Sequence, residues 1–217
     1  VARAQALAYD AQLRMRHYQI NPHFLLNTLN AISTLVLEKR NEQAENMLLR
    51  LAGFLRYSLD RQPTEMAALT AELEAQRKYL EIEQTRFDDK LKVRFDIEPG
   101  LENAQLPSLI LQPILENAIK YAITPRAEGG SIDVSASRDG DLLRITVEDD
   151  GPGLPPEGQP RRRNGVGLAN ARERLELIYG GRAGLIARNR DPRGCRVEIW
   201  LPLEEERAGR TPAPVAS

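Results

Sequence analysis

The residue whose setting most invites chemistry is His23, in the run Asn21-Pro22-His23-Phe24-Leu25-Leu26-Asn27. At about 100° per residue, Leu25, Leu29, Ile32 and Val36 gather on one side of a helix. Gln19, Asn27, Asn30 and Thr34 fall on the other side and flank His23, so the imidazole faces a lane of amides and a hydroxyl, open to a partner. A lone histidine on a helix surface is more often without a task, and the second half of the chain decides between the two. There, Asp149-x-Gly151-x-Gly153 follows an apolar alternation, which puts a carboxylate at a strand end and lets a ligand approach the backbone at the glycines. An aspartate so placed accepts a hydrogen bond from an exocyclic amine such as that of adenine. Gly165-x-Gly167-Leu168 opens a helix, where free N–H groups and the positive end of the dipole favour phosphate. Asn117 offers a carbonyl oxygen to Mg²⁺, and Lys120, on roughly the same helical face, reaches for a phosphate. Each feature alone is commonly a turn or a helix surface; their order and spacing together carry the information.

Composition narrows the setting. A chain of 217 residues has room for one or two domains, and 41% hydrophobic and 28% charged residues are ordinary for a globular protein. A net charge of −1 provides no global field to recruit nucleic acid or an anionic membrane. The single Cys195 excludes an intrachain disulfide, and two histidines leave little for a zinc site. No apolar run is long enough to span a bilayer and no signal peptide is visible. The chain starts at Val1 instead of Met, so it reads as the cytoplasmic portion of a longer protein whose membrane contact, if any, lies in an upstream sensor region.

The elements that must position these residues follow in order. Residues 2–38 read as helix, interrupted at Pro22, which either starts a helix capped by Asn21 or kinks a continuous one. After a polar turn at 39–41, Leu48, Leu51, Leu55 and Leu59 recur at helical spacing, widened by Met47 and Phe54, until Pro63. Two such helices form a hairpin with too little core of its own, so two copies are expected to pack as a four-helix bundle in a homodimer. Residues 70–87 read as a third helix capped by Thr70, with Leu73, Tyr79 and Leu80 inward. Strands follow around Val93 to Ile97, at 132–137, 142–148, 183–188 and 195–201, with helices at 109–122 and 169–179. The expected fold class is α+β: a helical hairpin followed by an α/β sandwich with helices on one face of its sheet. This divides the chain into 1–68 for dimerisation, a connecting helix at 69–90, a ligand-binding domain at 91–203, and a Pro- and Ala-rich disordered tail at 204–217.

Taken together, Glu116-Asn117-Ala118-Ile119-Lys120-Tyr121, the loop from Asp149 to Gly153, Asn164-Gly165-Val166-Gly167-Leu168 and the weaker Arg193-Gly194-Cys195 resemble the Bergerat ATP-binding fold of histidine kinases, gyrase and MutL. The first half chooses among its members. Asn21 to Asn30, Leu55-Arg56-Tyr57-Ser58-Leu59 and Tyr79 to Phe87 resemble the LytS-like sensor histidine kinases, over about residues 12–203. The resemblance implies an ATP site with Asp149 at adenine and Asn117 at Mg²⁺, and His23 as phospho-acceptor. It also implies onward transfer to an aspartate of a response-regulator receiver domain. His17, six positions upstream of His23, reads as structural or incidental.

Several positions depart from the family pattern. Leu26 stands where many relatives have Phe, and Tyr121-Ala122 where His-Gly is frequent; a tyrosine there can still donate to ribose or phosphate. The loop holding Arg161, Arg162 and Arg163 is short for a nucleotide lid, and reads equally as a solvated basic turn. Phe24 takes the place where many histidine kinases carry an acidic residue, so the general base is unidentified; Asn27, one turn on, can orient the ring but is no ordinary base. A gyrase-type ATPase is the first rival, opposed by Pro113 at the position of the water-activating glutamate. A nucleotide-holding dimeric scaffold without chemistry is the second.

Overall fold

The computed structural model describes residues 21–62, 65–154 and 165–204. The helix expected before Asn21, His17, Arg161 to Arg163 and the tail beyond Glu204 lie outside the described residues. Helix α1 (Pro22–Leu37) starts at Asn21, whose backbone is extended and whose side chain accepts a hydrogen bond from the His23 N–H at 3.0 Å. Pro22 takes the first helical position, where a missing N–H costs nothing. The capped start is thus the reading of Pro22 that the structure adopts.

Helix α2 (Asn41–Asp60) folds back on α1 as the expected hairpin, but the buried faces are rotated from the leucine runs. Phe24, Thr28 and Leu35 are buried on α1, and Ala44, Met47, Leu51, Phe54 and Ser58 on α2. Leu29 (45% exposed), Val36 (53%), Leu48 (52%) and Leu59 (47%) face outward. The cause is helix α3 (Leu69–Phe87), which takes the aromatic side of the hairpin. Its Tyr79 ring lies 4.9 Å from Phe24 and 5.7 Å from Phe54, a cluster favoured by ring quadrupoles as well as by burial. Thr28 and Ser58 are tolerated on this face because their hydroxyls donate to the carbonyls of Phe24 (2.8 Å) and Phe54 (2.9 Å), one turn back.

Thr70 does not cap α3. Strand β1 (Met66–Ala68) runs straight into the helix, and Ala68 holds the cap position without a side-chain bond. The free N–H groups of the first turn go instead to the loop before β3 (Gln105–Pro107). Leu69 N–H donates to Ala104 O at 2.8 Å, and Thr70 donates to Glu102 O through its N–H (3.1 Å) and its hydroxyl (2.9 Å). β1 and β3 pair antiparallel, a short ribbon that no periodicity announces. Leu73, Tyr79 and Leu80 are buried as expected.

The main sheet comprises β2 (Leu91–Ile97), β4 (Gly130–Asp139), β5 (Leu142–Asp149), β6 (Gly184–Asn189) and β7 (Cys195–Pro202), in the order β2-β4-β5-β7-β6. β2 and β4 are parallel and the other neighbours antiparallel. Registered rows Val134–Val147–Val197 and Ala136–Ile145–Ile199 are buried under the helices. The alternate residues form a charged face, with Arg94 paired to Asp133 at 3.0 Å, Arg144 to Glu198, and Arg196 to Glu148. One face covered and one charged is the expected sandwich half. The single helix expected at 109–122 is broken up: Leu109 adopts φ 59°, α4 spans only Gln112–Ala118, and a wider turn follows at Ile119–Ile123, closed by Thr124 N–H to Ile119 O at 2.8 Å. Helix α5 (Gly165–Tyr179) completes the helical layer.

Glu83 is buried on α3, with Oε1 accepting from Arg86 at 3.0 Å and Oε2 without a partner among the described residues. Burial pushes its carboxyl up to about 7, against the pull of Arg86 and with a further push from Glu116. The folded state therefore binds this proton more tightly than the unfolded chain. Its contribution to stability is present at low pH and is lost as pH rises from the ordinary carboxylate range through about 7. Glu83→Gln removes that slope. Thermal melts at about pH 5 and about pH 8 are expected to show the variant gaining on the unsubstituted protein at the higher pH; an equal difference at both contradicts this assignment.

Candidate active site

Asp149 ends β5, and its carboxylate is fixed before any ligand arrives. Oδ1 accepts from the Gly151 N–H at 2.9 Å and from the Cys195 N–H at 3.2 Å, while Oδ2 has no partner among the described residues. Burial raises its pKa; the two backbone bonds and Arg190 oppose the rise, and the neighbouring Asp150 adds to it. Asp150 is turned to another task. Burial pushes it up as well, but the Ser131 N–H at 2.9 Å and the Arg126 guanidinium at 2.8 Å outweigh that and hold it below the ordinary range. One acid keeps an oxygen without a partner among the described residues, and the next locks the edge of β4.

Close packing of backbone explains the glycines around Asp149. A Cβ on Gly151 would stand 2.5 Å from the Cβ and 2.7 Å from the Cα of Ala122, so the Asp149 loop lies directly on the wide turn after α4. Gly194 adopts φ 109°, and a Cβ there would come within 2.0 Å of the Asp149 carbonyl. Gly153 lies against Asn189, whose Oδ1 accepts from the Leu154 N–H at 2.5 Å. Gly165 begins α5, Leu168 packs against the core, and a Cβ on Gly167 would stand 3.2 Å from Pro113 and 4.0 Å from the Asn117 amide. Three motifs far apart in sequence thus meet: the Asn117 helix, the Asp149 loop and the start of α5, with Gly194 closing the group from behind.

Asn117 is half-buried at the seam between α4 and α5, and Lys120 extends into solvent with its ammonium 5.0 Å from the centre of the Tyr121 ring. The Tyr121 hydroxyl is buried without a partner among the described residues. His23 is exposed at the start of α1, and Asn27 Nδ2 donates to its Nδ1 at 3.0 Å, the one-turn contact that the sequence spacing implies. Arg126, Asn189 and Arg190 went unnoticed in the sequence, although Arg190 donates to the Asp149 carbonyl at 3.2 Å and Arg126 anchors Asp150. Arg126 and Arg190 stand in connections and Asn189 at the very end of β6, places that no periodicity marks. Among the described residues no helix is long and apolar enough to cross a membrane.

Comparison with known proteins agrees with this arrangement. Residues 11–91 match the family described as "Histidine kinase", and residues 102–205 match "Histidine kinase-, DNA gyrase B-, and HSP90-like ATPase". The chain is 36% identical over 211 residues to the sensor histidine kinase YpdA of Escherichia coli, covering 93% of this chain and 36% of that protein. It is 34% identical to the sensor histidine kinase YesM of Bacillus subtilis (93% and 35%) and 30% identical to the sensor protein LytS of Enterococcus faecalis (92% and 35%). The chain therefore spans about a third of the length of these relatives. In fold, it resembles the Acinetobacter baumannii histidine kinase AdeS, with a TM-score of 0.51 at 16% identity, over 78% of this chain and 83% of that one. The catalytic domain of the histidine kinase ThkA gives a TM-score of 0.51 at 18% identity, over 65% and 98%. With a histidine kinase region followed by a GHKL-type ATPase region in one chain, it belongs to the LytS-related sensor histidine kinases.

Proposed function

We propose that this chain is the kinase portion of a two-component sensor, which transfers the terminal phosphoryl group of ATP to His23 and passes it on to a receiver-domain aspartate. The observation that carries this reading is Asp149 Oδ2, unpartnered among the described residues, on a loop packed so closely that no Cβ fits at 151 or 194. Asp149 receives the adenine amine on that oxygen. Gly165, Gly167 and the first turn of α5 lie toward the phosphates, with Lys120 as a mobile cation and Tyr121 as a donor beside them. Among the described residues no cluster of three or more His, Cys, Asp or Glu side chains is placed to hold a metal. A single Asn117 oxygen suits Mg²⁺, which fills most of its shell with water and phosphate. When bound, Mg²⁺ supplies charge neutralisation on the phosphates.

In the transfer, the bond between the γ-phosphorus and its bridging oxygen breaks, a nitrogen–phosphorus bond forms at the ring of His23, and ADP leaves. The ring gives up one proton to water. Asn27 orients the imidazole through its 3.0 Å contact with Nδ1. Pro113, packed against Gly167, offers no carboxylate to activate water, which disfavours hydrolysis as the main reaction. The hairpin also supports a homodimer. Leu26, Leu29, Val36 and Leu37 of α1 and Leu48, Leu49 and Leu59 of α2 are large, apolar and exposed, the faces a second copy covers in a four-helix bundle. Membrane attachment, on this reading, comes from the part of the longer protein upstream of residue 1.

Incubation with γ-labelled Mg²⁺-ATP is expected to give acid-labile, alkali-stable label on the protein, absent from His23→Ala and from Asn117→Ala. Free phosphate without protein label overturns the kinase reading in favour of an ATPase, and neither product in favour of a scaffold. Asp149→Asn must turn an NH₂ either toward the Gly151 and Cys195 N–H groups or into the pocket, setting donor against donor. Loss of one charge-assisted bond of about 1.5–3 kcal/mol weakens ATP binding about tenfold to a hundredfold. Calorimetric titration checks it, and unchanged affinity contradicts the placing of adenine.

A further inference from the structure

Arg190 has no part in the transfer described above, yet through it a distant turn grips the Asp149 loop. Residues 190–194 join β6 to β7, and the Arg190 N–H donates to Gly194 O at 2.9 Å across that turn. The guanidinium then spans two acceptors on β5: it donates to the Asp149 carbonyl at 3.2 Å and pairs with Glu148 at 3.3 Å. A planar fork holds two acceptors in fixed directions, which a single ammonium does not. The residue before it takes the far end of the same loop, because Asn189 Oδ1 accepts from the Leu154 N–H at 2.5 Å. Consecutive residues thus hold Asp149 and Leu154, the two ends of the loop that carries Gly151 and Gly153.

Sheet pairing alone does not keep Asp149 against this turn. The registered pairing of β5 with β7 stops at Glu148 and Arg196, one residue short of Asp149. Beyond it the Cys195 N–H reaches Asp149 Oδ1 at 3.2 Å, a long bond that depends on how closely the turn lies on the strand. Gly194 allows the approach, since a Cβ there would meet the Asp149 carbonyl at 2.0 Å. Arg190 binds that same carbonyl, so it draws the turn onto the strand at the point where the glycine makes room. If the turn lifts, Oδ1 is left with the Gly151 N–H, and the carboxylate rotates and carries Oδ2 with it.

We propose that Arg190, assisted by Asn189, is a positioning residue that sets base specificity: by clamping the loop it keeps the Asp149 carboxylate in the one bearing that accepts an exocyclic amine. This rests on the reading of Asp149 as the partner of adenine. A 6-oxopurine presents an oxygen where adenine has its amine, and an N–H at the neighbouring ring nitrogen. A fixed carboxylate meets that oxygen, acceptor against acceptor, and rejects the base; a loose one turns to the ring N–H and tolerates it. Rigidity held in advance of binding is the source of the discrimination.

Calorimetric titration of the whole chain with Mg²⁺-ATP and with Mg²⁺-ITP, whose base carries the oxygen in place of the amine, tests this at about pH 8, which favours the ionised carboxylate. The unsubstituted protein is expected to prefer ATP about tenfold or more, and Asp149→Asn to lose the preference. In Arg190→Gln, ATP affinity is expected to fall about tenfold while ITP affinity stays within about twofold, so the preference all but disappears. Asn189→Ala, which loses a neutral and exposed bond, gives a smaller change in the same direction. Removing a positive charge or loosening the fold weakens both nucleotides alike and leaves their ratio unmoved, and retained ITP binding reports that a variant is folded. Arg196→Gln removes another cation bonded to Glu148 and is expected to keep the full preference. An Arg190→Gln protein that keeps its preference, one that loses ATP and ITP alike, or an Arg196→Gln protein that loses the preference as fully each overturns the positioning role and leaves Asp149 as the reader of the base. An unsubstituted protein that binds both nucleotides equally, or an Asp149→Asn protein that keeps the preference, overturns the reading of Asp149 as well.

Discussion

Everything in this fold hangs on a carboxylate with no access to water. Glu72, on α3, is fully buried and accepts four hydrogen bonds: from the Tyr57 hydroxyl (2.8 Å) and the Leu109 N–H (2.7 Å) on one oxygen, and from the Leu111 N–H (3.2 Å) and Gln76 (3.2 Å) on the other. Burial raises its pKa, and these same bonds oppose the rise. A lone buried charge is prohibitive; one with every lone pair engaged is tolerable, and removing it strands the donors. The donors come from the hairpin, from α3 itself and from the segment that leads into α4. Burial and the charge of Glu72 push the Tyr57 hydroxyl far above its ordinary range, so it remains a donor. Arg174 on α5 adds a fourth element by donating to the Ser108 carbonyl beside this junction. A single carboxylate thus ties the acceptor hairpin to the nucleotide half.

The strained start of α4 follows from that tie. Leu109 takes a positive φ, unfavourable for a branched side chain, because its N–H and that of Leu111 converge on Glu72. The helix then begins late, at Gln112, and Asn117 falls in its last turn, just before the wide turn on which Gly151 rests. Asp149 shows the same economy on a smaller scale: its carboxylate is held by N–H groups from two loops, so the orientation of the free oxygen is set by the sheet and not by the ligand. Binding then does not have to order it.

What the sequence made legible were local signals with strict geometry. The cap at Asn21, the one-turn spacing of His23 and Asn27 and the alternation of the sheet strands are each fixed by a short stretch, and each stands where spacing puts it, whereas the glycines at 151 and 194, read as room for a ligand, lie against Ala122 and the Asp149 carbonyl. Illegible were features decided across the fold. Leu29, Val36, Leu48 and Leu59 have the periodicity of a core, but α3 claims the neighbouring aromatic face, and nothing within the hairpin announces which face a third helix will take. Thr70 has the chemistry of a cap but is displaced by carbonyls from a loop more than thirty residues away. Glu72 reads as one more surface charge on an amphipathic helix, since its four donors are scattered between residues 57 and 111.

The central claim is spatial: the imidazole on the hairpin stands close to the phosphates held by the other half. Paramagnetic relaxation measures that directly. With Mn²⁺ in place of Mg²⁺ and a non-hydrolysable ATP analogue bound, the ring-proton resonances of His23, assigned by their loss in His23→Ala, are predicted to broaden strongly. They are predicted to stay sharp when the diamagnetic Mg²⁺ complex is used. Sharp His23 signals in the presence of bound Mn²⁺-nucleotide would contradict the account, because the acceptor would then lie out of reach of the group it is said to receive.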